Sequence, residues 1–266
     1  MLRHFEAAKT SFNSAVQYRA GMALTILMTV VNVGIMYVVW STIFANGATY
    51  GNYNLDQIIL HSALAASLFS LMWDDWNNML STAIHDGTLF KYTIRPVSLF
   101  HYAFWWKAGH RLFALIIEFL PSMATIGLLF GIDFITPEQP LAFTAAIILA
   151  FCYFLLFNGF VGISAFWAKR NDGINWVMIS TRNLLSGLII PLSFYPEAIQ
   201  RVFFFLPFQH VFYVPSTAYI GNYALTSWDV TIWHSIALGF AELGVLTALL
   251  YALWTIGEQR YEGVGV

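Results

Sequence analysis

Ser164, within Gly162-Ile163-Ser164-Ala165, and His234 are a nucleophile and a base of the types an intramembrane serine protease uses. A hydrolytic dyad needs the two within hydrogen-bond reach. Both fall in long apolar segments, Ser164 near one face and His234 near the other. At 1.5 Å per residue they stand roughly 30 Å apart along a bilayer normal, so this dyad cannot form. No His-Glu-x-x-His zinc motif occurs. None of the four lysines follows a glycine, which excludes a Walker A phosphate loop. Any ATP dependence must then come from another chain. His85-Asp86 has no third metal-ligating residue nearby and reads as a solvated loop or a protein contact. The single Cys152 cannot form an intrachain disulfide and sits mid-span, where a packed apolar role is expected.

Three charges lie inside apolar segments: Glu118, Arg182 and Glu242. A central charge costs at least ~2.5–3.5 kcal/mol on insertion scales. Counted from the basic ends of their segments, Arg182 lies roughly 14 Å deep, Glu118 roughly 10 Å and Glu242 roughly 22 Å. Depth therefore predicts a pair between Arg182 and Glu118, either a structural ion pair between helices or the lining of a polar path. Asn158 and Asn183 fit interhelical hydrogen bonds.

The segments that carry these groups are set by composition. Hydrophobic residues make up 59% of 266 and charged residues 10%, against about 25% charged in soluble domains. The net charge of −2 points to no nucleic-acid partner. Met1 to Arg19 mixes charges with apolar residues and does not read as a cleavable signal. Arg3, Lys9 and Arg19 precede the first apolar segment. Lys91, Arg95, Lys107 and Arg111 fall between the second and third, Lys169 and Arg170 between the fourth and fifth, and Arg260 follows the last. The loops Ala45 to Gln57 and Asp133 to Pro140 hold no basic residue; Arg201 alone lies in an external loop. Basic residues accumulate on the cytoplasmic side. The pattern predicts an all-α polytopic membrane protein with six transmembrane helices and both termini inside. A span needs about 20 apolar residues, and the segments are Gly21–Phe44, Ile58–Leu80, Leu112–Ile132, Leu141–Trp167, Ile174–Phe194 and Thr231–Ile256. The ten tryptophans fall near their ends or in adjoining segments, as indole's preference for the headgroup layer requires.

Three stretches are not spans, and the whole of 1–266 reads as a single transmembrane domain. Residues 1–20 form an amphipathic helix, with Phe5, Ala8, Phe12, Ala15 and Val16 on one side and Arg19 at its end. It is either a membrane-entry anchor lying on lipid or a docking surface. Residues 81–107 hold Gly87, Lys91, Arg95 and Pro96; Gly87 can break a helix and Pro96 disfavours helix at Arg95. A short helix between two bends, projecting into the cytosol, is expected. Residues 191–221 are punctuated by Pro191, Pro196, Pro207 and Pro215, with Phe203, Phe204, Phe205, Phe208 and Phe212 between them. That is too apolar for a solvated loop and too broken for a span, so a pair of re-entrant helices in the outer leaflet follows. They are a structural cap or an external gate.

Secondary transporters carry internal repeats and helices broken near the midplane; here one broken segment lies near the outer surface, which weighs against ion-coupled transport. The chain resembles the permease subunit of type-2 ATP-binding-cassette exporters, in a bacterial branch often encoded in pairs. Tyr18-Arg19, Gly87 through Arg95-Pro96, Pro191-Leu192-Ser193-Phe194-Tyr195-Pro196, Leu206-Pro207-Phe208 and Arg260-Tyr261-Glu262-Gly263 carry the resemblance. It implies a multi-pass protein of the bacterial inner membrane, working beside a second permease, identical or paralogous, and two cytosolic ATPase subunits. ATP and magnesium would sit on those subunits, and this chain would bind no cofactor. Gly87, Lys91, Arg95 and Pro96 would belong to the coupling helix. Pro191, Pro196, Pro207 and Phe208 would belong to the external gate.

Overall fold

A computed structural model describes residues 19–45, 53–73, 75–89, 99–131, 136–225, 228 and 230–261. The structure is helical, as the composition requires. In chain order the helices are α1 (Arg19–Ile43), α2 (Leu55–Met72), α3 (Trp76–His85), α4 (Leu99–Ala114), α5 (Leu120–Phe130), α6 (Pro140–Ile163), α7 (Asp172–Leu185), α8 (Glu197–Phe204), α9 (Tyr213–Ile220) and α10 (Ile232–Arg260). Among the described residues, five stretches are long and apolar enough to cross a membrane: Ala23–Ile43, Leu55–His85, Tyr102–Phe130, Pro140–Phe166 and Ile232–Gln259.

The second of these bends. The Asn54 carboxamide and Gln57 cap α2 reciprocally, and the helix stops at Trp73 before resuming as α3. The third begins ten residues before the expected Leu112, so the aromatic run Phe100 to Trp106 lies in helix and not in a connection. Inside it, Leu115–Phe119 winds as a π-helical turn. Pro121 has no N–H and its ring crowds the carbonyl four residues back. A wider turn absorbs that conflict and re-aims Glu118.

The expected fifth span, Ile174–Phe194, is not one continuous helix. α7 has 14 residues, about 21 Å of helix, short of the roughly 30 Å of hydrocarbon. The chain then turns at Gly187, whose φ is +80°. A Cβ there would meet the Tyr213 Cβ at 2.9 Å, so the turn accepts glycine on both conformational and steric grounds. The Tyr213 amide donates to the Ser186 carbonyl (2.9 Å) and His61 Nε2 lies 2.9 Å from the Gly187 carbonyl. This corner draws the chain into the broken segment instead of letting α7 run on.

α6 is the hub. It packs along α10, α3 and α9, and its face from Ala142 through Ala146, Leu149, Tyr153 and Phe157 to Val161 is buried. The ends are fixed by aromatic contacts: Phe166 meets Trp254 and Tyr261 at one end, and Trp40 and Tyr53 meet Phe194 at the other. The first end carries Lys107, Arg111, Lys169 and Arg170 and is called the basic end below. α1 and α10 turn Leu27, Met28, Ile35, Val38, Val245 and Tyr251 outward, the apolar surface expected of helices facing lipid or a second membrane chain.

Candidate transport site

At the basic end, α3 stops at His85, and Gly87 takes φ +70°, the break expected there. Lys91, Arg95 and Pro96 lie outside the described residues, as do Phe5 and Phe12. Arg19 opens α1. The helix that precedes Gly87 is tied down. His85 Nε2 is 3.0 Å from the Ala168 carbonyl. The Asn171 amide donates to Ser81 Oγ and, at 3.2 Å, to the Val161 carbonyl. Asn77 donates to the Asn175 side chain at 3.0 Å. On the other side Lys107 pairs with Asp75 (3.1 Å) and Arg111 donates to the Trp73 carbonyl. The short helix α3 is thus hydrogen-bonded to the α6–α7 connection and to α7, while α4 holds the bend above it.

The three charges at depth do not pair as expected. Glu118, turned by the π-helical step, accepts from Ser70 Oγ on α2 at 3.3 Å, and Arg111 is the cation that acts on it. Arg182, 1% exposed, places its guanidinium over the Phe154 ring at 4.2 Å. It lines a cavity of about 60 Å³ with Asp75, Asn77, Asn158 and Asn175. The helices explain the miss. The π turn packs on α1 and α2, whereas α7 packs on α6 and the turn at Pro207. Equal depth does not make neighbours. Glu242 belongs to a third place, with Oε2 3.3 Å from the Tyr153 hydroxyl and 3.4 Å from His210 Nε2.

The broken segment is organised by amides. Gln200 donates to the Ser193 and Tyr195 carbonyls (2.8 and 2.7 Å), which fixes the loop between Pro191 and Pro196 onto α8. Gln209, in the 3-10 turn Pro207–His210, donates to the Phe204 carbonyl at 2.6 Å. Its oxygen accepts from Tyr223 (3.2 Å) and Ser235 (3.4 Å). Phe208 stacks on Phe157 of α6 at 5.0 Å. Residues 211–219 are buried without interruption, so this segment packs into the interior of the bundle. Burial pushes the Tyr223 phenol up to about 12, with the Ser235 hydroxyl pulling the other way. Burial likewise raises the Tyr53 phenol, with Ser193 opposing.

Sequence reasoning passed over His61, Gln209, His210 and Tyr153. The signal for them was their setting: a histidine and a glutamine in an apolar, proline-broken segment need partners at membrane depth. Ser164 and His234 are not brought together. Ser164 Oγ donates to the Val161 carbonyl (2.6 Å) at the basic end. His234 caps Thr231 in the first turn of α10 at the opposite end.

A family model described as ABC-2 family transporter protein matches residues 30–265. No curated protein matches the chain significantly.

Proposed function

The chain belongs to the ABC-2 transporter family, and on that premise we propose that it is the permease subunit of an ATP-driven exporter. It is an integral membrane protein and a transport component of that family, not the ATPase. The proposal adds direction, partners and orientation. Two permeases stand side by side and two cytosolic ATPase subunits bind the basic end, which faces the cytoplasm of a bacterial inner membrane. The observation that carries it is the family match along nearly the whole chain, together with a sequence that has no phosphate-binding loop of its own.

The architecture supports a route for coupling. Residues 86–98 join α3 to α4 at the basic end, and α3 is hydrogen-bonded to Ala168, Asn171 and Asn175 through His85, Ser81 and Asn77, with Asn171 bonded in turn to the Val161 carbonyl. A push on the connection around Gly87, Lys91, Arg95 and Pro96 would move α3 with the ends of α6 and α7. Those helices support the broken segment from Pro191 to Gly221, including Pro196, Pro207 and Phe208, which closes the other end of the path. Arg182 and its amide-lined cavity lie on the way.

Purification of the intact chain from its native membrane, with its associated ATPase, tests the reading. The complex is expected to hydrolyse ATP, and Lys91→Glu or Arg95→Glu is expected to leave membrane insertion intact while removing the permease-stimulated part of that hydrolysis. Full stimulated hydrolysis in both variants would reject the coupling assignment. An intact chain isolated with no ATPase would reject the exporter.

A further inference from the structure

The 3-10 turn Pro207–His210 ends in an imidazole that is wholly buried, 0% exposed. It lies between α6 and α10. Its ring stacks on the Tyr153 ring at 5.3 Å with an interplanar angle of 11°. The space for it exists because residue 239 is glycine. A Cβ there would stand 2.8 Å from His210 Cε1 and 2.9 Å from Nδ1. Gly239 lies seven positions into α10, about 10 Å down that helix. The turn therefore drives a titratable ring well below the membrane surface into a glycine notch.

Neither His210 nitrogen has a hydrogen-bond partner among the described residues. A buried polar ring left so is costly. Among the described residues, the group placed to offset that cost is Glu242, whose Oε2 lies 3.4 Å from Nε2. The single Tyr153 proton does not serve the ring, since it is directed to the Gly239 carbonyl (2.8 Å) and Glu242 Oε2 (3.3 Å). We propose that His210, Glu242 and Tyr153 form a proton-binding pin that seats the re-entrant turn against α10. The proton strengthens the contact, and its loss weakens the seat of the turn and loosens the outer end of the path. This deepens the assignment of residues 191–221 as a gate and rests on it.

The chemistry follows from counting protons. With one proton between Nε2 and Oε2, imidazolium meets carboxylate, or neutral imidazole accepts from a carboxylic acid. Either arrangement is attractive and strengthened by the low dielectric. Without that proton, the neutral ring can still donate its remaining N–H from Nε2, but the carboxylate is left as an uncompensated negative charge in a buried site, so the contact weakens and water competes for it. Among the described residues, no other charge intervenes on the elements packed against the turn. On α7, Arg182 lies on the Phe154 ring. On α8, Glu197 and Arg201 pair with each other at 2.6 Å. On α9, the Tyr213 hydroxyl donates to the Ala224 carbonyl. Cys152 of α6 faces a separate apolar groove.

Val211, wholly buried one residue beyond His210, reports the turn's position. The test uses the full chain carrying Cys152→Ser and Val211→Cys, in membranes, with a membrane-impermeant methanethiosulfonate. Its labelling rate is divided by that of a reference cysteine placed at the exposed Ala198 (Ala198→Cys) to remove the thiolate's own pH dependence. Between external pH of roughly 5.5 and 8.5 the ratio is expected to rise about tenfold. Glu242→Gln, which keeps a neutral donor at the same place, is expected to flatten the profile. A parent ratio independent of pH overturns the pin, and that measurement needs neither pin residue altered, so it stands even where Glu242→Gln fails to fold. A pH-dependent ratio unchanged by Glu242→Gln also overturns it. Because no ATPase enters the measurement, a failed exporter assignment and a failed pin give different results.

Discussion

Replacing Gly239 by alanine isolates the notch from every electrostatic argument about it. The added methyl would sit 2.6 Å from Leu149 Cδ2 as well as inside the contact distance of the His210 ring. The leucine tip can give way. The ring cannot do so cheaply, because it lies flat on Tyr153 and its chain is held by Gln209 one residue earlier. Overpacking of this kind costs about 1–3 kcal/mol, and removing a helical glycine returns up to about 1 kcal/mol. The net expected loss is roughly 1–2 kcal/mol for Gly239→Ala. At Gly244, on the same helix, an added methyl would meet nothing within 4 Å. Gly244→Ala therefore shows the propensity gain alone and is expected to be neutral or stabilising by up to about 1 kcal/mol. The two variants should differ by about 2 kcal/mol in reversible unfolding in mixed micelles, with Gly239→Ala the weaker. A Gly239→Ala protein as stable as Gly244→Ala would refute the claim that His210 occupies the notch.

Two further outcomes separate the alternatives raised by the sequence. Because Glu118 is bonded to Ser70 and Arg182 lies on another helix interface, the destabilisations of Glu118→Leu and Arg182→Leu are expected to add within about 0.5 kcal/mol in a double-mutant cycle; partial rescue in the double variant would restore the direct pair. For orientation, an impermeant thiol reagent applied outside cells is expected to label Glu138→Cys and spare Lys169→Cys in a Cys152→Ser background, and efficient labelling at position 169 would invert the topology.

Long apolar segments could be read because hydropathy is summed over about 20 residues, and a sum tolerates local surprises. α1, α6 and α10 accordingly begin and end within a few residues of the expected limits. Where a span depends on a few positions, the sum misleads. Ile174–Phe194 is apolar enough for a crossing, yet Gly187 and the hydrogen bonds of Ser186 and Gly187 to Tyr213 and His61 end α7 early. Those partners lie 27 and 126 residues away, and no window along the chain contains them. The broken segment itself was legible, because proline removes a donor and is accepted in a helix chiefly in its first turn, where Pro215 falls in α9. Its two short helices, α8 and α9, lie between Pro196 and Gly221 as the punctuation required.

The charges show the limit more sharply. Depth along a helix follows from counting residues, and by depth Arg182 and Glu118 were matched. Contact needs a second coordinate, which helix stands beside which, and a third, the direction each side chain leaves its helix. The π turn changes that third coordinate for Glu118 by inserting a residue into the helical repeat, and the pattern of 3.6 residues per turn no longer applies across it. Glu242 had a partner that depth within spans could not reveal, since His210 arrives from a segment that crosses nothing. A buried turn between helices brings a residue into the bundle without a long helix of its own, so an ionisable group in such a turn has to be matched against the charges of every helix. Among the described residues, the group within reach of His210 is Glu242, while Glu118 meets α2 and Arg182 lies on the Phe154 face of α6.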